Sequence, residues 1–266
     1  MAQRRRLDVE LVRRGLARSR AHADELVAAG RVVLAGQVAG KVATQVDPAA
    51  AIVVREVEGT PDFASRGGHK LTGALDAFAG IDVVGRRCLD AGASTGGFTD
   101  VLLRRGAAHV IAVDVGYGQL VWSLQQDERV SVLDRTNVRE LTRAQLPFAP
   151  DLVVADLSFI SLRLVLEPLV RVSEPGADLV LMIKPQFEVG RERLPQGGVV
   201  RSAVDRADAV RSVAEAATDL GLGVRGVCAS PLPGPSGNVE YFLWLVAGAE
   251  PLREADLLRA VEEGPQ

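Results

Sequence analysis

LDAGASTGGFTD, residues 89 to 100, decides how the rest of the chain is read. Arg87-Cys88-Leu89 reads as the start of a short buried strand ending at Asp90, and FTDVLLRRGA, from Phe98, reads as an amphipathic helix. Gly92, Gly96 and Gly97 stand between them, with Ser94 in the same turn. Glycine permits a tight turn and lets backbone approach a bound ligand where a Cβ would clash. Strand, Gly-rich turn and helix N-terminus make the nucleotide-binding corner of a doubly wound sheet. No Gly-Lys-Ser/Thr follows, so the turn is not a phosphate loop, and the spacing is not Gly-x-Gly-x-x-Gly. Asp90 would repel a pyrophosphate. An acid ahead of Gly-x-x-x-Gly-Gly suits a cationic ligand.

Outward from this turn, strand and helix patterns alternate. Residues 70 to 79 suit a helix, 86 to 90 a strand, and 97 to 106 a helix. HVIAVDVG is a strand ending at Asp114, residues 117 to 126 a helix, and VSVLD a strand ending at Asp134. DLVVAD, residues 151 to 156, is a buried strand followed by a helix over 160 to 172. ADLVLMIKP is a strand ending at Lys184, and a helix over 203 to 220 precedes the strands GVRGVCASP and EYFLWLVA. A last amphipathic helix spans 252 to 263. Near-continuous apolar strands between helices predict a mostly parallel sheet covered on both faces, an α/β fold. Ligands in such a fold bind outside the carboxyl ends of the strands. Asp90, Asp114, Asp134, Asp156 and Lys184 all fall there.

The Gly-rich turn resembles the S-adenosylmethionine (SAM) loop of class I methyltransferases. Under that reading Asp90, Gly92, Ser94, Gly96 and Gly97 form the loop, and Asp156 is a further cofactor contact. Asp114, 24 residues beyond Asp90, stands where a ribose-binding carboxylate belongs, and Asp134 suits the adenine side.

The composition, 47% hydrophobic and 24% charged over 266 residues, is that of a soluble globular protein. No apolar run approaches the ~18 residues that span a bilayer, and the basic N-terminus leads into charged residues rather than a signal-peptide core. Cys88 and Cys228 fall in strands as inert thiols, and no His pair at ligand spacing predicts a metal site. A cytoplasmic protein is expected. Charge divides unevenly: residues 1 to 46 carry 9 Lys+Arg against 4 Asp+Glu, and the remainder 22 against 30. A basic head on an acidic body points to a polyanionic partner.

In the head, Leu7, Leu11 and Val12 share a helical face that Gly15 ends. Ser19 caps a second helix that Gly30 ends, and RVVLAGQVAGK and AAIVVREV read as extended runs. This order resembles the S4 RNA-binding domain. The resemblance implies a basic surface for folded RNA, with Arg4, Arg5, Arg6, Arg14, Arg18, Arg20 and Lys41 as the candidate contacts. The boundaries expected are an S4-like domain over 1–58, a linker over 59–66 and a methyltransferase domain over 67–266.

ADLSFIS (155 to 161), IKPQFEVG (183 to 190), PGPSGNVEYF (233 to 242) and SRGGHKL (65 to 71) resemble the FtsJ-like ribose 2′-O-methyltransferases. Joined to an S4 head, they make the chain similar to the TlyA/hemolysin A family. Carried over by position, the resemblance implies a catalytic tetrad of Lys70, Asp156, Lys184 and Glu240. A ribose hydroxyl is a poor nucleophile, so the enzyme must hold it in line with the methyl and remove a proton. Lys184 is the general base or steering group, with Lys70 as the second cation and the two acids orienting the amines. Phe159 is either a base-stacking ring or a core aromatic, and Ser236 and Asn238 are candidate nucleotide contacts. The family implies SAM as cofactor and cytidine in 16S and 23S rRNA of the 30S and 50S subunits as target. It also implies an effect on sensitivity to ribosome-directed cyclic peptide antibiotics, and a monomer is expected. Two rivals stand beside this reading. A membrane-lytic protein requires a spanning segment that is missing, and an assembly factor without turnover predicts a broken tetrad.

Overall fold

The computed structural model describes residues 4–17, 19–55, 63–234 and 236–265. It divides into two compact units, Met1–Ser65 and Arg66–Gln266. Residues 59–62 of the expected linker lie outside the described stretches.

In the head, β1 (Arg5–Arg6) leads directly into α1 (Leu7–Arg13), and α2 (Arg20–Ala28) follows. Ser19 caps α2 by accepting the His22 N–H at 3.1 Å, and Gly30, at φ +67°, ends it. β2 (Val32–Leu34), β3 (Gln37–Val38), β4 (Gln45–Val46) and β5 (Ile52–Val54) complete the unit. β2 lies between β3 and β5, antiparallel to both, while β1 pairs with β4. The β1–β4 pair was not predicted, because two-residue strands are too short to show alternation. Leu7 and Leu11 of α1 bury against Ala23, Leu26 and Val27 of α2 and Val32, Val46 and Ile52 of the strands.

The second unit opens with α3 (Gly67–Ala77), which starts three residues before the predicted helix. It then runs β6 (Arg87–Ala91), α4 (Gly97–Arg104), β7 (His109–Val113), α5 (Trp122–Gln125), β8 (Val130–Leu133) and β9 (Leu152–Ala155). Next come α6 (Leu166–Val172), β10 (Asp178–Ile183), α7 (Pro185–Glu188), α8 (Ala203–Thr218), β11 (Leu222–Ala229), β12 (Tyr241–Ala247) and α9 (Glu254–Glu263). The seven strands form one sheet in the order β11-β12-β10-β9-β6-β7-β8. β8, β7, β6, β9 and β10 are parallel, while β12 runs antiparallel to both β10 and β11. Every residue of β9 is buried, as is nearly every residue of β6, β7 and β10, because helices cover both faces. This is the class I methyltransferase architecture.

From β6 the chain builds β7 and β8 on one side, then returns to lay β9 on the other. The switch point therefore lies between β6 and β9, and a crevice opens at their carboxyl ends. Two predicted helices are shorter than expected. Only Trp122–Gln125 of the 117–126 helix forms, because Asp114 and Asp134 take the N–H groups of Gly116 and Gly118 at 2.6 and 2.9 Å and hold the preceding stretch as a loop. The 160–172 helix is a 3₁₀ turn, Leu162–Leu164, followed by α6. Burial pushes the Cys88 and Cys228 thiols up to about 12, which leaves them unreactive. Among the described residues no helix is long and apolar enough to cross a membrane.

Candidate active site

Asp90, on β6, is fully buried. Its Oδ2 accepts the backbone N–H of Thr99 at 2.9 Å and the Thr99 hydroxyl at 2.7 Å, so the carboxylate braces the first turn of α4. Its Oδ1 is buried with no hydrogen-bond partner. Burial pushes Asp90 up to about 7; the Thr99 bonds oppose this, and the charges of Asp156 and Asp114 add to it.

The loop after Asp90 is shaped by two glycines with positive φ, Gly92 at +87° and Gly96 at +100°. A Cβ on Gly92 would stand 2.5 Å from the carbonyl oxygen of Asp156, and one on Gly96 would stand 2.3 Å from Leu124 Cδ1. The sequence reading assigned these glycines to ligand approach. In the structure their lost side chains make room for the protein's own backbone and core. Ser94, also at positive φ, donates its N–H to Asp114 Oδ2 at 2.8 Å, while Gly116 donates to Oδ1 of the same residue. Asp114 thereby ties the loop to the end of β7.

Asp90, Asp114, Asp134 and Asp156 are thus carried by four neighbouring strand ends. Carboxylates are acceptors only; Asp90 Oδ1 lies buried without a donor, and Asp156 Oδ1 has only its ionic contact with Lys184. Such a lining fits a ligand that brings its own donors and positive charge: an ammonium, a sulfonium and ribose hydroxyls. SAM has these groups.

The four tetrad candidates are placed by register. β9 and β10 are parallel with Ala155 opposite Leu181, and β10 and β12 are antiparallel with Ile183 opposite Tyr241. Asp156, Lys184 and Glu240 therefore leave three adjacent strands at the same edge of the sheet. Lys184 Nζ lies 2.6 Å from Asp156 Oδ1, an ionic contact whose angles fall short of a directed hydrogen bond, and donates to Ser158 Oγ at 2.8 Å. Lys70, reaching from α3, is ion-paired and hydrogen-bonded to Glu240, and both are buried. Gly234 leaves room for this pair, since a Cβ there would fall 2.6 Å from Glu240 Oε1. One pair is thus sealed, and the other retains some exposure, with side chains 11% and 26% exposed.

Phe159 is 92% exposed, at φ +63°, with its ring centroid 5.3 Å from that of Phe187. The core alternative for this ring is therefore excluded. The loop that carries it thus holds a large exposed aromatic in the left-handed region, uncommon for so bulky a residue. That loop is anchored by Glu188, which the sequence reading missed. Its two oxygens accept the Ser161 hydroxyl at 2.5 Å and the Leu162 N–H at 2.7 Å. Burial pushes Glu188 above the usual carboxylate range. Arg135, also missed, stacks its guanidinium 4.4 Å from the Tyr117 ring centroid, and both residues are exposed beside the Asp114 and Asp134 loops. Ser236 is exposed. Asn238 is not placed as a nucleotide contact: it is buried, accepting the Val200 N–H at 2.9 Å and donating to the Gly198 carbonyl at 2.8 Å.

In the head, buried Asp8 accepts from Arg6 and Arg20, and buried Glu10 accepts from Arg13 and Arg14. Arg14 also donates to the Ala50 and Pro48 carbonyls at 2.8 and 2.7 Å. Its guanidinium is committed to joining α1 to the loop before β5, which corrects its assignment as a free RNA contact. Arg6 and Arg20 keep side chains 42% and 62% exposed despite their pairing, and Arg4 and Lys41 are exposed. Arg18 lies outside the described residues.

A parallel sheet with this switch point, an acid-lined loop and two lysine–carboxylate pairs at its edge define a class I methyltransferase. The FtsJ-like methyltransferase model matches residues 63–247 and the S4 domain model residues 5–52, and the chain belongs to the FtsJ-like methyltransferase family. It is 58% identical, over all of both chains, to the 16S/23S rRNA (cytidine-2'-O)-methyltransferase TlyA of Mycobacterium tuberculosis. It is 35% identical to Hemolysin A of Brachyspira hyodysenteriae, over 89% of this chain and 97% of that one. A solved Streptococcus thermophilus protein that bears the hemolysin name superposes with a TM-score of 0.78 at 35% identity, covering 99% of this chain and 96% of that one.

Proposed function

We propose that the protein transfers a methyl group from SAM to the 2′-hydroxyl of cytidine in ribosomal RNA of both subunits, acting in the cytoplasm as a monomer. The observation that carries this reading is Lys184, held between Asp156 and Ser158 at the sheet edge next to the sealed Lys70–Glu240 pair.

SAM supplies an electrophilic methyl on a sulfonium. The loop over residues 92–97 and the carboxylates of Asp90, Asp114, Asp134 and Asp156 would hold that donor. Lys184 Nζ meets the ribose hydroxyl, keeps its oxygen in line and takes up or relays its proton as the bond forms. Asp156 fixes the amine from one side. Lys70 and Glu240 hold the neighbouring wall and supply the second amine–carboxylate pair. Phe159 is exposed to stack on the target base, with Ser236 as a further contact, and Arg4, Arg6, Arg20 and Lys41 of the head meet RNA phosphates. Modification of this kind is expected to alter sensitivity to ribosome-directed cyclic peptide antibiotics.

Purified protein and radiolabelled SAM, mixed with undermethylated 30S and 50S subunits, test the proposal. Label at a discrete alkali-resistant linkage is expected, reduced at least ~100-fold in Lys184→Ala while that variant still binds SAM. A folded, SAM-binding wild type that labels neither subunit would sink the ribosomal reading.

A further inference from the structure

The described buried charges other than Arg206 have partners: Asp8, Glu10, Lys70, Glu240, Asp90 and Glu188 all make hydrogen bonds or ion pairs. Arg206, on α8, is 7% exposed, and its Nε is buried without a partner. Among the described residues no carboxylate pairs with it. A buried cationic side chain with an unsatisfied N–H is unfavourable, and an anion brought by a ligand would relieve that cost.

Arg206 lines a cavity of about 460 Å³ together with Val200, Arg201, Pro233, Ser236 and Gly237. Among the described residues no carboxylate lines it, and two arginines do. The Tyr241 hydroxyl, on β12, is likewise buried without a partner. Val239, which precedes Glu240 in the chain, also lines the cavity, and Ser236 belongs to the loop whose Gly234 packs on Glu240, so the cavity lies by the start of β12. We infer that this cavity is a phosphate subsite centred on Arg206, taking a backbone phosphodiester of the substrate RNA next to the nucleotide being methylated. The inference rests on the RNA methyltransferase reading above. A guanidinium fork matches paired phosphate oxygens, and the volume has room for a nucleotide segment rather than a lone ion.

Arg206→Met keeps the side chain's length and removes its charge. It is expected to fold, with a Tm at or above wild type, because an unpaired buried cation is lost. RNA affinity, read by fluorescence anisotropy with a ribosomal RNA fragment across a salt series, is expected to fall roughly tenfold or more. The log–log salt slope should become shallower by about 0.7 to 0.9, with the Kd for SAM unchanged. Arg201→Gln, at an exposed lining residue, should flatten the slope in the same sense and carries little risk to folding. Wild-type affinity and slope in both variants would overturn the subsite. It would also be overturned if inorganic phosphate raised the Tm of wild type but not of Arg206→Met while RNA binding stayed equal, since the cavity would then take small anions. Absence of any methyl transfer by SAM-bound wild type would be a failure of the parent reading instead, and the labelling assay reports it separately.

Discussion

Replacing Asp90 by Asn tests the core of the donor site through the pH dependence of stability. In the folded protein Asp90 titrates at about 7, against 3.8 for the free side chain. The folded state therefore binds the proton more tightly than the unfolded chain. Stability from this group is greatest below the unfolded pKa and is lost as pH rises toward the folded one. At about 1.4 kcal/mol per unit, the cost of ionising Asp90 grows by about 2 to 3 kcal/mol between about pH 5 and about pH 8. Asn cannot ionise, and its carbonyl can still accept both Thr99 donors. Its amide, placed where Oδ1 stands unpartnered, adds a pH-independent cost of about 1 to 3 kcal/mol. Urea unfolding of both proteins at the two pH values isolates the difference, because other titrating groups are common to both. The advantage of Asn over Asp should grow by about 2 to 3 kcal/mol toward the higher pH, or about 5–10 °C in Tm for a domain of this size. SAM affinity should fall roughly tenfold or more in the variant. In wild type it should rise with pH through about 7, until the donor's own α-amino group deprotonates near ~8. Parallel stability curves for the two proteins would refute the argument.

Breaking the sealed pair with Lys70→Met leaves the Glu240 carboxylate buried and alone, and should cost about 3 to 5 kcal/mol in chemical denaturation. Adding Glu240→Leu should restore most of that stability and none of the methyl transfer, which separates the pair's structural share from its chemical one. Phe159→Ala should leave Tm unchanged, because the ring is 92% exposed. It should weaken RNA binding by about 1 to 3 kcal/mol, the loss of one base–aromatic stack, read in the same anisotropy assay.

The sheet was legible because its strands are largely apolar and the five parallel ones each end on a charge. VIAV before Asp114 and LVVA before Asp156 have no polar residue to offer solvent, so only a position covered on both faces suits them. The loop at 114–121 was not legible as a loop. Its helical pattern was overruled by two aspartates that capture glycine N–H groups, a tertiary contact no local window contains. The four tetrad positions came with the family resemblance; the pairing of Lys184 with Asp156, and of Lys70 with Glu240 across 170 positions, is not encoded in spacing and is seen only in the fold. Arg14 misled because a surface arginine and one clamped on a buried glutamate read alike. Arg206 escaped notice for the converse reason, since a basic residue within an amphipathic helix is normally assigned to solvent. Glu188 was not singled out, because nothing local to it shows that it anchors the Phe159 loop.

Gly92 joins two things that enzymes usually keep adjustable apart. With no side chain there, the loop assigned to the methyl donor rests directly on the backbone of Asp156. The proposed donor loop and the strand end that carries Asp156 therefore share a direct backbone contact, and a shift of one is felt by the other. An added methyl at this position would change the distance between donor and acceptor itself, and no rearrangement of the tetrad's side chains could restore it. Donor affinity and turnover should accordingly rise and fall together across any series of changes in this loop, whichever of the two a substitution was meant to alter.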